Sequence, residues 1–472
     1  MNIRLASIVT LIGQISVAAL GLIGTSLLTH TIDKATFSSL QILISYAMLG
    51  CTFVGLGQVN TLHKYGPNKV NGANGLAYYF RAIILIFPML LLFLTLLLVL
   101  DIAEIIELKA ISEDSPVMWL LISCMTFGFI TLALIDSALR ANAKFKEQQL
   151  ISVFTKFSAI IAAILYIWFD PRMTYVLWNI SIALVALFFS FRILHVERNW
   201  PKTKDILFNV KTRFSFYLAS IPFLIKGEVL VVFLASTEGY LVGAELRLAL
   251  QFITLFLILL SIIANPSITK FVSEYNQGQL NSALEFFNLS CVFGIKLITP
   301  IFILFFIYGE ALFGLVFGDE YRHISEISIL LCLQPFFIMF LGPVNNVFIA
   351  TGNAKGKIYS ESLSAMVIIV GLFLLDITLL NIAWLLMTAY LVWNIVAIYY
   401  LARCGVDLLS TRTLLMRIIT VAILSTVTYL IYLFVSYLFS NIYVQWALLS
   451  AIVSGWALFN FRYDKYLDFS VG

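Results

Sequence analysis

The chain has 472 residues, of which 61% are hydrophobic and only 11% charged, with a formal net charge of +4. Ordinary soluble domains run at about 45–50% apolar and about 25% charged. A soluble globular enzyme is therefore excluded, and the small positive charge is not a nucleic-acid signature.

Apolar runs of about 20 residues, enough to cross a bilayer, recur from one end to the other. They start near Ile8, Phe37, Tyr79, Val117, Leu150, Thr174, Ser215, Tyr240, Asn288, Glu326, Ile358, Ile382, Leu414 and Ile442. The expectation is an all-α polytopic membrane protein with about 14 transmembrane helices. The roughly ten-residue alternating segments of a membrane β-barrel are absent. The first span, with Gln14 and Ser16 inside it, lacks a cleavage pattern and is expected to be retained. Cys51, Cys124, Cys291, Cys332 and Cys404 show no metal or disulfide spacing and read as packing residues.

Orientation follows from where lysine and arginine fall. With the N-terminus inside, cytoplasmic segments hold roughly 21 of the 29 basic residues. One inner joint carries Arg192, Arg198, Lys202, Lys204, Lys211 and Arg213, and an outer joint carries Asp101, Glu104, Glu107, Glu113 and Asp114. Both termini are expected in the cytoplasm. The basic joint separates six spans from the next six, giving expected divisions 1–205, 206–405 and 406–472, the last holding two appended spans. Asn142-Ala143-Lys144-Phe145-Lys146 after span four and Asn353-Ala354-Lys355-Gly356-Lys357 after span ten match in sequence. Six intervening spans give two halves the same orientation, with a substrate path between them.

A charge at mid-bilayer costs about 2.5–3.5 kcal/mol on insertion scales, so embedded charges need partners or water. Asp136 lies near the inner end of span four, Lys156 in span five, Lys226 and Glu228 in span seven, Glu245 and Arg247 at the start of span eight, and Lys296 in span nine. A tight turn near Thr237 to Gly239 brings spans seven and eight together, so Glu228 or Glu245 can offset Lys226 or Arg247. Pairing that merely fixes helix packing fits the same pattern. Lys156, about six residues into its span, can also snorkel to the cytoplasm. Gly55 and Gly57 end span two, Pro266 ends span eight, and Pro335, Gly342 and Pro343 break span ten, as kinks or as hinges. Most of the 21 tyrosines and 40 phenylalanines read as interfacial or packing residues.

Leu27-Leu28-Thr29-His30, Phe37-Ser38-Ser39-Leu40, Val54-Gly55-Leu56-Gly57 and the stretch Gly239-Tyr240-Leu241-Val242-Gly243-Ala244-Glu245-Leu246-Arg247-Leu248 follow one another in a familiar order. Leu312-Phe313-Gly314-Leu315-Val316-Phe317-Gly318-Asp319-Glu320-Tyr321 and Ile349-Ala350-Thr351-Gly352-Asn353-Ala354-Lys355 continue it. Together they resemble the multidrug/oligosaccharidyl-lipid/polysaccharide (MOP) exporter superfamily, in particular the Wzx-type O-antigen and polysaccharide flippases. The resemblance implies two six-helix lobes around a central cavity in the bacterial inner membrane. It implies a flippase that moves an undecaprenyl-pyrophosphate-linked oligosaccharide to the periplasmic leaflet by alternating access. Polymerase and chain-length regulator of the same pathway are the further partners it implies.

Arg247 stands where similar flippases place a cavity arginine, and Lys226, Lys296 and Lys156 are candidate helpers in attracting pyrophosphate. His30 stands where such proteins often carry arginine; its ordinary pKa of about 6.5 weakens any fixed charge there. Glu228, Glu245 and Asp136 are candidates for ion coupling or charge pairing. No G-x-x-x-x-G-K-[ST] loop is present, so an H+ or Na+ gradient, or downstream consumption of the product, is expected to set direction. No metal site or organic cofactor is expected. A drug/ion antiporter of the same fold, a polymerase-type membrane enzyme and a non-transporting scaffold are the alternatives.

Overall fold

The computed structural model describes residues 3–55, 58–59, 75–102, 115–141, 144–193, 210–253, 256–257, 271, 274, 277–341, 344–351, 353–403, 405–406, 408 and 411–463. Among them every regular element is a helix. Eleven are long and apolar enough to cross a membrane, and Ile83–Val99 and Val444–Ala457 are shorter apolar helices. The chain is a multi-pass membrane protein.

The helices follow the expected order. They are α1 (Ile3–Thr31), α2 (Lys34–Gly55), α3 (Gly75–Ile102), α4 (Ser115–Ala141), α5 (Phe145–Leu165) and α6 (Pro171–Ile193). Then come α7 (Val210–Leu224), a π-helical turn (Ile225–Val229), α8 (Leu230–Thr237) and α9 (240–253). The second half holds α10 (Leu280–Phe317), α11 (Ile324–Leu331), α12 (Leu333–Leu341), α13 (Val344–Thr351), α14 (Ala354–Leu374), α15 (Leu379–Arg403), α16 (Thr411–Leu438) and α17 (Ile442–Tyr463). The basic joint between Ile193 and Val210, most of the acidic outer joint, Gly57, Pro266, Asn142-Ala143 and Gly342-Pro343 lie outside the described residues.

Two compact units emerge: residues 16–248, and residues 1–15 with 249–472. In the first, α2 is the central strut, packing against α3, α4 and the π turn. A Cβ on Gly50 would lie 2.6 Å from Thr126 Oγ1, so α2 and α4 approach to a distance only glycine permits. Gly24 plays the same part between α1 and α5, where a Cβ would sit 2.7 Å from that of Ala159.

Two helix starts are capped by aspartate. Asp33 precedes α2 and accepts from the Thr36 backbone N–H at 2.9 Å and from its hydroxyl at 2.6 Å. Asp170 precedes α6, whose first residue is Pro171, the usual combination at an N-terminus. The Thr36 hydroxyl, then its backbone N–H, hold the Asp33 carboxyl below its ordinary 3.8. The depressed value means that this stabilisation is present above pH 3.8 and lost as pH falls through the lowered pKa. Asp33→Ala is expected to cost about 1 kcal/mol at neutral pH, read as a lower thermal midpoint, and to cost nothing in strong acid.

In the second unit α10 is the long member: 38 residues span about 57 Å at 1.5 Å each, against a hydrocarbon core of about 30 Å. Phe252 stacks on Phe305 at 4.7 Å and meets Phe313 at 4.8 Å, tying α9 to α10. Span ten is broken, as its prolines suggested, but the first break falls at Cys332, upstream of Pro335. Pro335 lies in the first turn of α12, where its missing N–H deprives only the carbonyl of Leu331, the last residue of α11. The last two helices pack on α10: the Tyr308 hydroxyl donates to Gln445 Oε1 at 3.0 Å, and its ring meets Tyr432 edge-on at 5.9 Å.

Candidate functional site

The hairpin of α8 and α9 builds the site. Gly239 ends α8 with φ +98°, a conformation that suits glycine, and the chain reverses there. Four residues on, a Cβ at Gly243 would lie 2.8 Å from both the Ala235 Cβ and the Val231 carbonyl oxygen, so the two helices run in near-backbone contact. One turn further from the bend, Arg247 Nη1 reaches Glu228 Oε2. The glycines of the motif thus set the distance at which a buried-edge arginine meets its carboxylate.

Glu228 belongs to the π turn, which also carries Lys226. The wider turn re-aims side chains relative to a continuous α-helix, and such turns gather at functional sites. Lys226 is buried, its ammonium 5.7 Å from the Phe223 ring centroid, on the side of the helix away from solvent. Two residues from Arg247, Glu245 accepts from Lys34 Nζ at 3.1 Å. Carboxylates and cations of the hairpin therefore pair as Glu228 with Arg247 and Glu245 with Lys34; the sequence offered the two carboxylates and Arg247 but not Lys34.

Lys156 joins this group. Its helix α5 begins at Phe145, five residues before the expected start near Leu150, which puts Lys156 near the middle of the helix rather than near an end. Its stem passes Gly21 of α1, where a Cβ would be 3.9 Å from Lys156 Cδ, and its exposed head lies within the field of the Arg247 guanidinium. Tyr175 of α6, hydrogen-bonded to Ser158, feels the same guanidinium. One unit thus holds Lys34, Lys156, Lys226, Glu228, Glu245 and Arg247, with Arg247 on Glu228, Lys34 on Glu245 and Lys156 in the field of Arg247.

The other candidates lie elsewhere. Asp136 accepts from Gln148 Nε2 at 2.7 Å within the α4–α5 hairpin. His30 is exposed, and its Nδ1 sits 2.7 Å from the Ser26 carbonyl oxygen, so that nitrogen carries the proton. Lys296 is on α10 in the second unit, where its carbonyl accepts from Trp456 Nε1 at 3.1 Å. A second arginine at the rim of the first unit, Arg172, donates to Asp170 at 2.6 Å and to Ser39 Oγ at 3.2 Å, locking α6 to α2. Burial tends to raise the Asp170 carboxyl, but the Arg172 hydrogen bonds and charge outweigh it and hold it below its ordinary value. Among the described residues no cluster of three or more metal-ligating side chains occurs.

Arg417 of α16 escaped the sequence reading. It is fully buried, donating from Nη1 to the Phe340 carbonyl at 2.6 Å and from Nη2 to Asn288 Oδ1 at 2.7 Å. Phe340 is the next-to-last residue of α12, so its carbonyl is one that the helix leaves unbonded. The negative end of that helix partly balances the guanidinium.

No family model matches the chain, and no curated protein sequence matches it. Solved structures do. The lipid II flippase MurJ in an inward closed conformation superposes with a TM-score of 0.65 at 16% identity, over 97% of this chain and 98% of that one. An inward-facing multidrug resistance MATE transporter of the MOP superfamily gives 0.59 at 12% identity, over 89% and 99%. A MOP superfamily transporter from Pyrococcus furiosus gives 0.62 at 14%, over 90% and 97%. The chain has the fold shared by these MOP-superfamily transporters and the flippase.

Proposed function

We propose that the protein is a flippase of the bacterial inner membrane that carries an undecaprenyl-pyrophosphate-linked oligosaccharide, an O-antigen or similar repeat unit, to the periplasmic leaflet by alternating access. The observation that carries this reading is Arg247 itself, set within an apolar bundle on Glu228 and with Lys156 in its field. A diphosphate cannot enter hydrocarbon without compensating charge, and the arginine fork matches phosphate oxygens. A cationic drug would find both hairpin carboxylates already held by Arg247 and Lys34. The likeness in fold to a lipid II flippase is in keeping with this reading, as the likeness to MATE transporters is with a drug/ion antiporter. Direction comes from an ion gradient or from consumption of the delivered glycan.

Arg247→Ala is expected to abolish surface polysaccharide with the protein level unchanged; normal glycan in that strain would retire the assignment. In deletion cells, a single lipid-linked repeat unit should be retained on the cytoplasmic leaflet. Accumulation on the periplasmic leaflet would instead indicate a polymerase.

A further inference from the structure

We propose that Tyr175 is the third member of the anion site, an uncharged hydrogen-bond donor that works beside Arg247 and Lys156. The inference rests on the anion-site reading of Arg247 given above.

A six-residue box occurs twice in the chain, as Tyr175-Val176-Leu177-Trp178-Asn179-Ile180 in α6 and as Tyr390-Leu391-Val392-Trp393-Asn394-Ile395 in α15. The copies lie six spans apart, the same spacing as the Asn-Ala-Lys match. Their local build is the same. Asn179 Nδ2 donates to the Tyr175 carbonyl at 2.9 Å and Asn394 Nδ2 to the Tyr390 carbonyl at 2.8 Å, and both asparagines are buried. What differs is the charge that each tyrosine meets. Tyr175 is hydrogen-bonded to Ser158 of α5 and lies in the field of Arg247, whereas Tyr390 is hydrogen-bonded to Gln334 of α12 and lies in the field of Glu361 of α14. The same box thus faces a guanidinium in one unit and a carboxylate in the other, and only the first suits an anion.

Arg247 meets Glu228 through Nη1, which leaves its Nε and Nη2 edge to an anion. Lys156 brings a second positive charge into the same field. A diphosphate has more oxygens than one guanidinium edge and one ammonium can serve. A third cation would have to be held against two like charges whenever the site is empty, whereas a phenol adds a donor and no charge. Tyr175 is half-buried rather than sealed in the core. Ser158 occupies one side of its hydroxyl, but a phenol both accepts and donates, so the O–H can still serve a phosphate oxygen. The phenol is also held before any ligand arrives: one turn along α6, Trp178 Nε1 donates to the Phe154 carbonyl of α5 at 3.0 Å.

The test is equilibrium binding of inorganic pyrophosphate to the full-length protein in detergent, with the thermal midpoint read alongside, for wild type, Y175F, S158A, Y390F and R247Q. Y175F removes one hydroxyl and keeps the ring, and it is expected to bind about tenfold more weakly. S158A breaks the same hydrogen bond between α5 and α6 but keeps the phenol, and Y390F removes the matching hydroxyl beside Glu361; both are expected to bind like wild type. Wild-type affinity in Y175F overturns the assignment. Equal weakening in S158A would make the hydroxyl a packing group, and equal weakening in Y390F would make the loss a general effect of removing such a hydroxyl; either result overturns it as well. If wild type binds pyrophosphate and R247Q does not, yet Y175F matches wild type, only this inference fails. If wild type binds none, or R247Q binds like wild type, the anion-site reading fails with it.

Discussion

Arg417→Ala lowers the thermal midpoint of the purified protein, at a cost of about 3 kcal/mol. The guanidinium makes two hydrogen bonds from a fully buried position, to the Phe340 carbonyl and to Asn288 Oδ1. Hydrogen bonds from a charged donor are worth about 1.5–3 kcal/mol each, and the truncation removes the donor from both partly buried acceptors. Against this stands the relief of burying a cation with no carboxylate partner among the described residues, which keeps the net below the sum of the two bonds. Arg417→Lys, able to reach one acceptor, should fall between. An alanine variant that melts with wild type would mean that desolvation cancels the bonds and that α16 is held by its apolar contacts alone.

The second large effect is expected at Gly243. Leucine there must place a Cβ 2.8 Å from a carbonyl oxygen and from another Cβ, and the carbonyl belongs to a helix backbone that cannot step aside. Overpacking of this kind costs about 2–3 kcal/mol, and here the strain is relieved only by parting α8 from α9. Parting them withdraws Arg247 from Glu228. Gly243→Leu should therefore lose surface glycan and thermal stability together, whereas Arg247→Ala should lose the glycan while the fold stays. Wild-type glycan from a folded Gly243→Leu protein would show that the close hairpin is not needed for transport.

The bundle was legible because hydropathy is a summed property: most span starts fell near their helices, as at Ile442 and Tyr240, while the long α10 opens at Leu280, well before the expected Asn288. The reversal at Gly239 was legible from local turn chemistry. Glu228, Glu245, Lys156 and Arg247 stood out because charge is costly where they lie, and the structure places all four in one unit. Their partners were not readable. Lys34 lies before the expected start of span two at Phe37, yet it opens α2 and reaches Glu245, 211 positions away in sequence. Arg417 lies three residues past the expected start of its span at Leu414, where a cation needs no special partner; the tertiary position of the α12 terminus explains its burial. The π turn was invisible because a one-residue shift in helical phase leaves no mark in a sequence that is apolar on all sides.

That turn has a consequence for how variation in this chain should be read. A π turn holds one residue more than the α-helix around it, so deleting one residue between Ile225 and Val229 would restore regular winding. Everything before it would then rotate by about 100° relative to α8. Gly227 has nothing within 4 Å of where its Cβ would stand, so space alone does not demand glycine there. Helical phase, more than the presence of a carboxylate in span seven, decides what that carboxylate can meet. A homologue with every charged residue in place and one residue fewer in this turn would spell the same site and not possess it.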